Sequence, residues 1–382
     1  MQKVYLDSAA TTQVREEVIA KMQEALANCY GNPSSTHSFG RSAKTQIEKA
    51  RKTIAKQLNA SPSEIIFTSG GTEADNMILR CAVRDLGVKH LITSKIEHHA
   101  VLHTVEQLEQ EYGVKVSYVD LNNCGTPSLE SLEELLKNSE AKTLVSLMHV
   151  NNEIGNMIDI DAFADVCKEY NALFHSDTVQ SIGHWEWDLQ KTKVDFLTAA
   201  AHKFHGPKGI GFAYIRKNIP LKQLIHGGEQ ERGFRAGTEP FHNIVGLEEA
   251  FVLAYENLDE ERAYVTGLKN YFMESLESAL PGVKFNGNCA SNDKSTYTLV
   301  NVCLPFSAEK GALLLFQLDI KGIACSKGSA CQSGSSTGSH VLTEILSEED
   351  LQKPSVRFSF SKYNTKEELD YVVNCLKEFA NS

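Results

Sequence analysis

From about residue 15 to residue 255 the chain alternates between two hydrophobic rhythms. Short continuous apolar runs bounded by turn residues are separated by longer stretches whose apolar positions recur three or four apart. The runs predict strands over residues 64–68, 90–93, 115–119, 143–148, 173–176, 195–198 and 211–215. The periodic stretches predict helices over residues 74–85, 100–112, 129–137 and 161–170. Helices alternating with strands cover both faces of a sheet, so the expected architecture is α/β with a mostly parallel central sheet. Beyond a charged helix around residues 258–280 the rhythm changes. Apolar runs at 283–285, 297–303 and 355–360 enclose a helix over 307–318, which predicts a smaller α+β unit. The expected division is a large domain over residues 15–257 and a small one made of residues 1–14 and 258–382.

Composition narrows the classes of partner. A chain of 382 residues is long enough for about two domains. Its net charge of −11 argues against nucleic acid or an anionic membrane, since both call for a basic face. The first residues show no signal peptide, and no run reaches the roughly 18 apolar residues of a membrane span. A cytoplasmic protein is expected. The nine cysteines are odd in number and form no C-x-x-C pair, so neither a disulfide framework nor a zinc site is expected. Most should be buried thiols, and a reactive one must be recognised from its surroundings.

The segment from Ala201 to Gly211 carries the densest chemistry. It places Lys203 at a predicted strand end, after an alanine run and before a turn punctuated by Gly206, Pro207, Gly209 and Gly211. An amine there is poorly solvated, which lowers its pKa and readies it for a Schiff base with an aldehyde such as pyridoxal phosphate. A surface lysine in a Gly-Pro turn is the plainer reading, but the alanines argue against exposure.

Six further sites supply what such a cofactor needs. Ser69-Gly70-Gly71-Thr72 ends a predicted strand and opens a helix, where backbone N–H groups and the Thr72 hydroxyl suit a phosphate. Asp177 follows a predicted strand 26 residues before Lys203, and a carboxylate there keeps a pyridine nitrogen protonated. It also reads as an ordinary helix cap. His98 sits beyond a strand, where a ring can stack on a cofactor or merely face water. Asn151 and Asn152 follow another strand; Asn152 suits a phenolate oxygen or a substrate carboxylate, although amides also shape turns. The polar loop from Gly227 to Thr238 offers Arg235 and Thr238 to an anion, across a subunit interface or as a solvated loop. Arg357, in an otherwise apolar run, suits a bidentate grip on a substrate carboxylate.

Together these segments resemble the cysteine desulfurase family, long-loop branch, among the class V pyridoxal-phosphate enzymes of fold type I. The likeness runs nearly end to end, from Tyr5 to Thr12 through Tyr30 to His37 and on to Arg357 to Thr365. It implies that Lys203 carries pyridoxal 5'-phosphate, Asp177 pairs with the ring nitrogen and His98 stacks on the ring. Asn152 and Gln180 would surround the phenolate. Gly71, Thr72, His202 and a Thr238 donated by the partner of a homodimer would bind phosphate. Two departures stand out. Ala200 occupies the position where relatives place a phosphate-binding serine, leaving Thr198 or water to replace it, and Lys327 and Gln332 stand where small or hydroxyl residues are usual.

Cys331 separates a desulfurase from an aminotransferase. Glycine and serine crowd both its sides, giving a flexible segment able to carry a thiol to a substrate sulfur, with Cys325 as a rival just outside. Cys303 and Cys375 instead sit in apolar periodic runs. The implied reaction converts L-cysteine to L-alanine and leaves a persulfide on Cys331, with Lys203 and His98 as proton carriers. A sulfur-acceptor or scaffold protein, serving iron–sulfur cluster assembly, would collect it. A selenocysteine lyase, a class V aminotransferase or a non-enzymatic binding module remain the other readings.

Overall fold

The computed structural model describes residues 2–328 and 338–381. The chain starts with a short strand β1 (Val4–Tyr5) and the helices α1 (Glu16–Asn28) and α2 (Ser38–Gln57). The regular alternation then begins: β2 (Ile65–Thr68), α3 (Gly71–Leu86), β3 (His90–Thr93), α4 (His99–Tyr112), β4 (Lys115–Tyr118), α5 (Leu129–Lys137), β5 (Thr143–Ser146) and α6 (Ile160–Glu169). It closes with β6 (Leu173–Asp177), β7 (Phe196–Ala200), β8 (Gly211–Ile215) and α7 (Phe241–Glu256). Seven strands form one sheet in the order β2-β8-β7-β6-β5-β3-β4. Only β8 runs against its neighbours; the others are parallel. The expected α/β architecture is therefore present.

Side-chain alternation along these strands explains why both faces are covered. Phe67, Ile92, Val145, Phe174, Leu197 and Phe212 point into one buried cluster shared with α1, α2, α6 and α7. Ile66, Leu91, Leu144, Phe196 and Ala213 point into the other, against α3 and α4. Each such side chain removed from water is worth about 1.5–3 kcal/mol, and the two layers fix the strand ends that carry the site.

Local chemistry sets the element limits. Helix α3 starts at Gly71, three residues before its predicted start, because Gly-Gly-Thr reads as a turn although it forms the helix's first turn. Gly87 ends α3 and Gly113 ends α4, both in the left-handed conformation that glycine adopts without strain. Strand β5 stops at Ser146 rather than 148, since the Met148 N–H turns away to Glu97 Oε1 at 3.0 Å. Strand β7 runs two residues beyond its predicted end, to Ala200.

A second group of elements follows: α8 (Leu258–Ala279), β9 (Lys284–Phe285), β10 (Leu299–Cys303), α9 (Ala308–Ile320), β11 (Ile323–Ala324), α10 (His340–Ile345), α11 (Glu348–Leu351), β12 (Ser355–Ser359) and α12 (Lys366–Asn381). Strands β12, β10 and β9 form an antiparallel sheet, and β1 pairs with β11 in parallel. Val4 and Leu6 share a buried cluster with Phe272, Leu304, Val356 and Phe358. Among the described residues no helix is long and apolar enough to cross a membrane.

Candidate active site

In parallel sheets ligands settle beyond the carboxyl ends of the strands. A cavity of about 210 Å³ lies there, and it gathers Gly71, Thr72, His98, Asn152, Asp177, Gln180, His202, Lys203 and Arg357. Nine residues chosen from the sequence thus meet in one place. Thr238 is not among the lining residues; it is exposed and borders a separate hollow beside Arg235 and Glu231. Cys331 lies outside the described residues.

Lys203 ends a single 3-10 turn after β7. Its Nζ donates to the carbonyls of Ala9 and Ala10, the latter at 2.9 Å, and its own carbonyl meets His184 Nε2 at 3.0 Å. The N-terminal segment therefore holds the lysine. Gln180 Nε2 also donates to the Ala9 carbonyl, at 3.0 Å. Asp177, the last residue of β6, accepts the Val179 N–H at Oδ1, 2.9 Å. Burial pushes its carboxyl up to about 6, and the nearby Asp75 adds to the shift. Asp75 itself is held at about 7 and Glu97 at about 8, both mainly by burial. Three buried carboxyl groups close together leave this end of the cavity short of positive charge. His175 does not supply it, since burial lowers its imidazole to about 4. Its Nε2 faces Asp75 Oδ1 at 3.4 Å, in contact range but without hydrogen-bond alignment.

His98 caps α4, its Nδ1 accepting the Ala100 N–H at 3.1 Å. Burial, together with Lys203, lowers its pKa, so the ring is neutral with its proton on Nε2. The two amides divide their work. Asn151 shapes the turn, its Oδ1 accepting the N–H groups of Glu153 and Ile154, while Asn152 faces the cavity. Arg357 is buried, donating to Asp7 at 2.9 Å and to the Asn152 carbonyl at 2.7 Å. Its Nε is buried with no hydrogen-bond partner among the described residues.

Phosphate chemistry fits the first turn of α3. Gly70 stands at the N-cap with no side chain to occupy the helix's free N–H groups. A Cβ on Gly71 would come within 2.6 Å of Val179 Cγ2, so that approach requires glycine. An uncapped helix N-terminus at one end of the cavity and the buried Asp177 carboxyl at the other suit an anion joined to a protonated ring, as in pyridoxal phosphate. Thr198 does not replace the serine missing at Ala200: it is fully buried, does not line the cavity, and its hydroxyl serves the carboxyls of Asp177, at 3.5 Å, and Asp75.

Three further findings correct or extend the sequence reading. Arg235 is unavailable to an anion, because its Nε and a terminal nitrogen pair with Glu73 at 2.8 and 3.2 Å. Cys325 is a poor rival to Cys331, since burial and Asp7 push its thiol up to about 12. Glu153 and Glu97 are structural ties that periodicity could not reveal: Ser339 Oγ donates to Glu153 Oε2, and His340 Nε2 meets the Glu97 carbonyl at 2.9 Å. On the other side of the cysteine segment Ser326 pairs with Arg357 through backbone hydrogen bonds of 3.2 and 2.6 Å. Both described flanks of Cys331 are thus tied to strands and turns that line the cavity.

Sheet, lysine, paired aspartate and helix N-terminus define the class of α/β enzymes that hold pyridoxal phosphate at the carboxyl ends of a parallel sheet. Within it, this chain belongs to the aminotransferase class-V family, whose model matches residues 4–372. It is 42% identical over 377 residues to cysteine desulfurase IscS of Dictyoglomus turgidum, covering 98% of this chain and 94% of that one. A solved NifS-like protein superposes with a TM-score of 0.90 at 37% identity, both chains covered in full. A structure described as SspA in complex with cysteine matches with a TM-score of 0.78 at 33% identity, covering 95% of this chain and all of that one.

Proposed function

We propose that this protein is a pyridoxal-phosphate-dependent cysteine desulfurase, converting L-cysteine to L-alanine and passing the sulfur, as a persulfide, to an acceptor or scaffold protein for iron–sulfur cluster assembly. The observation that carries this is the meeting of Lys203, Asp177, His98 and Arg357 around one cavity, in a chain so close to cysteine desulfurases. Residues 15–257 and the pair of segments 1–14 and 258–382 are read as two domains, supported by their separate buried clusters.

Bound pyridoxal phosphate supplies an electron sink for charge developing at the substrate Cα. The chain's own residues do the rest. Lys203 Nζ, held by the Ala9 and Ala10 carbonyls, would hold the cofactor, and its amine would move the Cα proton. Asp177 carries the negative charge that keeps the ring nitrogen protonated. His98 would hold its neutral ring against the cofactor, and its Nε2–H would shuttle a second proton. Arg357 would grip the substrate carboxylate, and Asn152 and Gln180, which line the cavity, would flank the phenolate. The Cys331 thiolate attacks the substrate sulfur: an S–S bond forms, the Cβ–S bond breaks with its electron pair staying on carbon, Cβ takes up a proton, alanine leaves, and the sulfur stays on Cys331 as a persulfide.

The test is Lys203→Ala. Borohydride should fix cofactor covalently in the wild type and not in the variant, whose circular dichroism should be unchanged. Covalent fixation surviving in Lys203→Ala would sink the assignment.

A further inference from the structure

The loop that carries Thr238 contains a knot. Glu231 and Arg232 follow one another with φ of 47° and 57°, both left-handed and neither glycine. Residues in that conformation persist only where their surroundings over-determine them, and such strain collects at functional sites. Here the determinant is visible. The Glu231 carboxylate is buried and meets the Arg51 guanidinium in a two-pronged pair, at 2.7 and 2.8 Å. Its Oε2 also accepts the Phe67 N–H at 2.8 Å, on the strand that leads into Gly70 and Gly71. Arg51 is itself buried, reaching the Ile65 carbonyl at 2.6 Å and Glu48 at 3.0 Å, with its guanidinium 4.7 Å from the centre of the Phe67 ring. A few residues on, Arg235 pairs with Glu73. Between and beyond these anchors the loop ends at Thr238, which is exposed and points at no part of the cavity in its own chain.

We propose that Glu231, through Arg51, is a positioning residue for the phosphate site of the other subunit: it locks the loop so that Thr238 stands ready to reach a neighbouring chain. This rests on the reading that Thr238 serves the partner's cofactor. Glu231 itself touches no lining residue of its own cavity: its anchor is β2, while Arg235 ties the loop to Glu73 beside Thr72, so the pair with Arg51 holds the loop that carries Thr238 rather than the cavity wall. A buried pair broken on one side also leaves an uncompensated charge, so Glu231→Gln, which keeps volume and one acceptor, is the milder probe.

The experiment measures pyridoxal phosphate affinity as cofactor fixed to Lys203 by borohydride, in tagged and purified dimers, with sedimentation confirming that each remains dimeric. Glu231→Gln homodimers should bind at least about tenfold more weakly than wild type. In heterodimers of Glu231→Gln with Lys203→Ala, the only lysine able to hold cofactor lies in the chain that bears Glu231→Gln, while its phosphate is served by the other chain's intact loop. Wild-type affinity should return there. Affinity that stays weak in the heterodimer, or is never weakened in the homodimer, overturns the proposal. Thr238→Ala paired with Lys203→Ala runs in parallel. Recovery with Thr238→Ala but not with Glu231→Gln defeats the role of Glu231 alone; recovery with neither defeats the crossing of Thr238 as well.

Discussion

Asp177 is where charge decides the chemistry. With its carboxyl at about 6 in the cofactor-free protein, it is ionised above that pH and neutral below it. Only the ionised form attracts a protonated ring nitrogen. Lowering the pH through 6 should therefore weaken uptake of pyridoxal phosphate, and uptake near pH 6 should release a proton as the ring cation draws the carboxyl down. Asp177→Asn should lose this inflection and bind about 10- to 100-fold more weakly at pH 8, the value of a hydrogen bond to a charged group. Spectrophotometric titration of cofactor-free protein across pH 5–8 checks both. At this scale the sequence disclosed groups that the fold gathers at one cavity, such as Lys203, Asp177 and Arg357. It misled where partners matter. Arg235 looked like an anion ligand until Glu73 was found across from it. The carbonyls of Ala9 and Ala10, which hold Lys203, have no side-chain signature at all.

Among the elements, the start of α3 bears most on function. Periodicity located the helix but not its first turn, because glycines carry no hydrophobic signal while their lack of a Cβ is what brings Val179 close. Gly71→Ala forces a methyl to within 2.6 Å of Val179 Cγ2, so the Val179 side chain, the strand-to-helix turn or the β6–β7 connection must shift. The variant should fold with a melting temperature a few degrees lower, consistent with an overpacking cost of about 1–3 kcal/mol. It should also retain pyridoxal phosphate at least tenfold less well. Unchanged cofactor retention would remove this turn from the phosphate site. Strand ends were read to within two or three residues, and the shifts have local causes. Met148 leaves β5 because Glu97 captures its N–H, a contact between segments 51 residues apart that no local pattern encodes.

Across the whole molecule, the alternation of rhythms sufficed for the parallel sheet, since most of its strands are buried on both faces, the edge strand β4 excepted, where Lys115 and Tyr118 are exposed. The N-terminal segment was harder. Val4 and Leu6 lie in the core formed by α8, β10 and β12, while Ala9 and Ala10 reach the lysine at the end of β7. A dozen residues thus join the cavity to a core assembled from the far end of the chain, and only three-dimensional packing brings those partners together. Arg357 repeats the theme: a single strand residue from that core lines the cavity, while its backbone pairs with Ser326 on the approach to Cys331.

The central claim is that Cys331 takes sulfur from cysteine bound in this cavity. Holoenzyme incubated with L-cysteine, then digested and analysed by mass spectrometry with alanine assayed in parallel, tests it directly. The account predicts alanine together with an added sulfur atom on the peptide containing Cys331. In Cys331→Ser the optical change on adding cysteine should remain while persulfide disappears and alanine formation falls at least about a hundredfold; Cys325→Ser should behave as wild type. Persulfide on another cysteine, or undiminished alanine formation by Cys331→Ser, would contradict it.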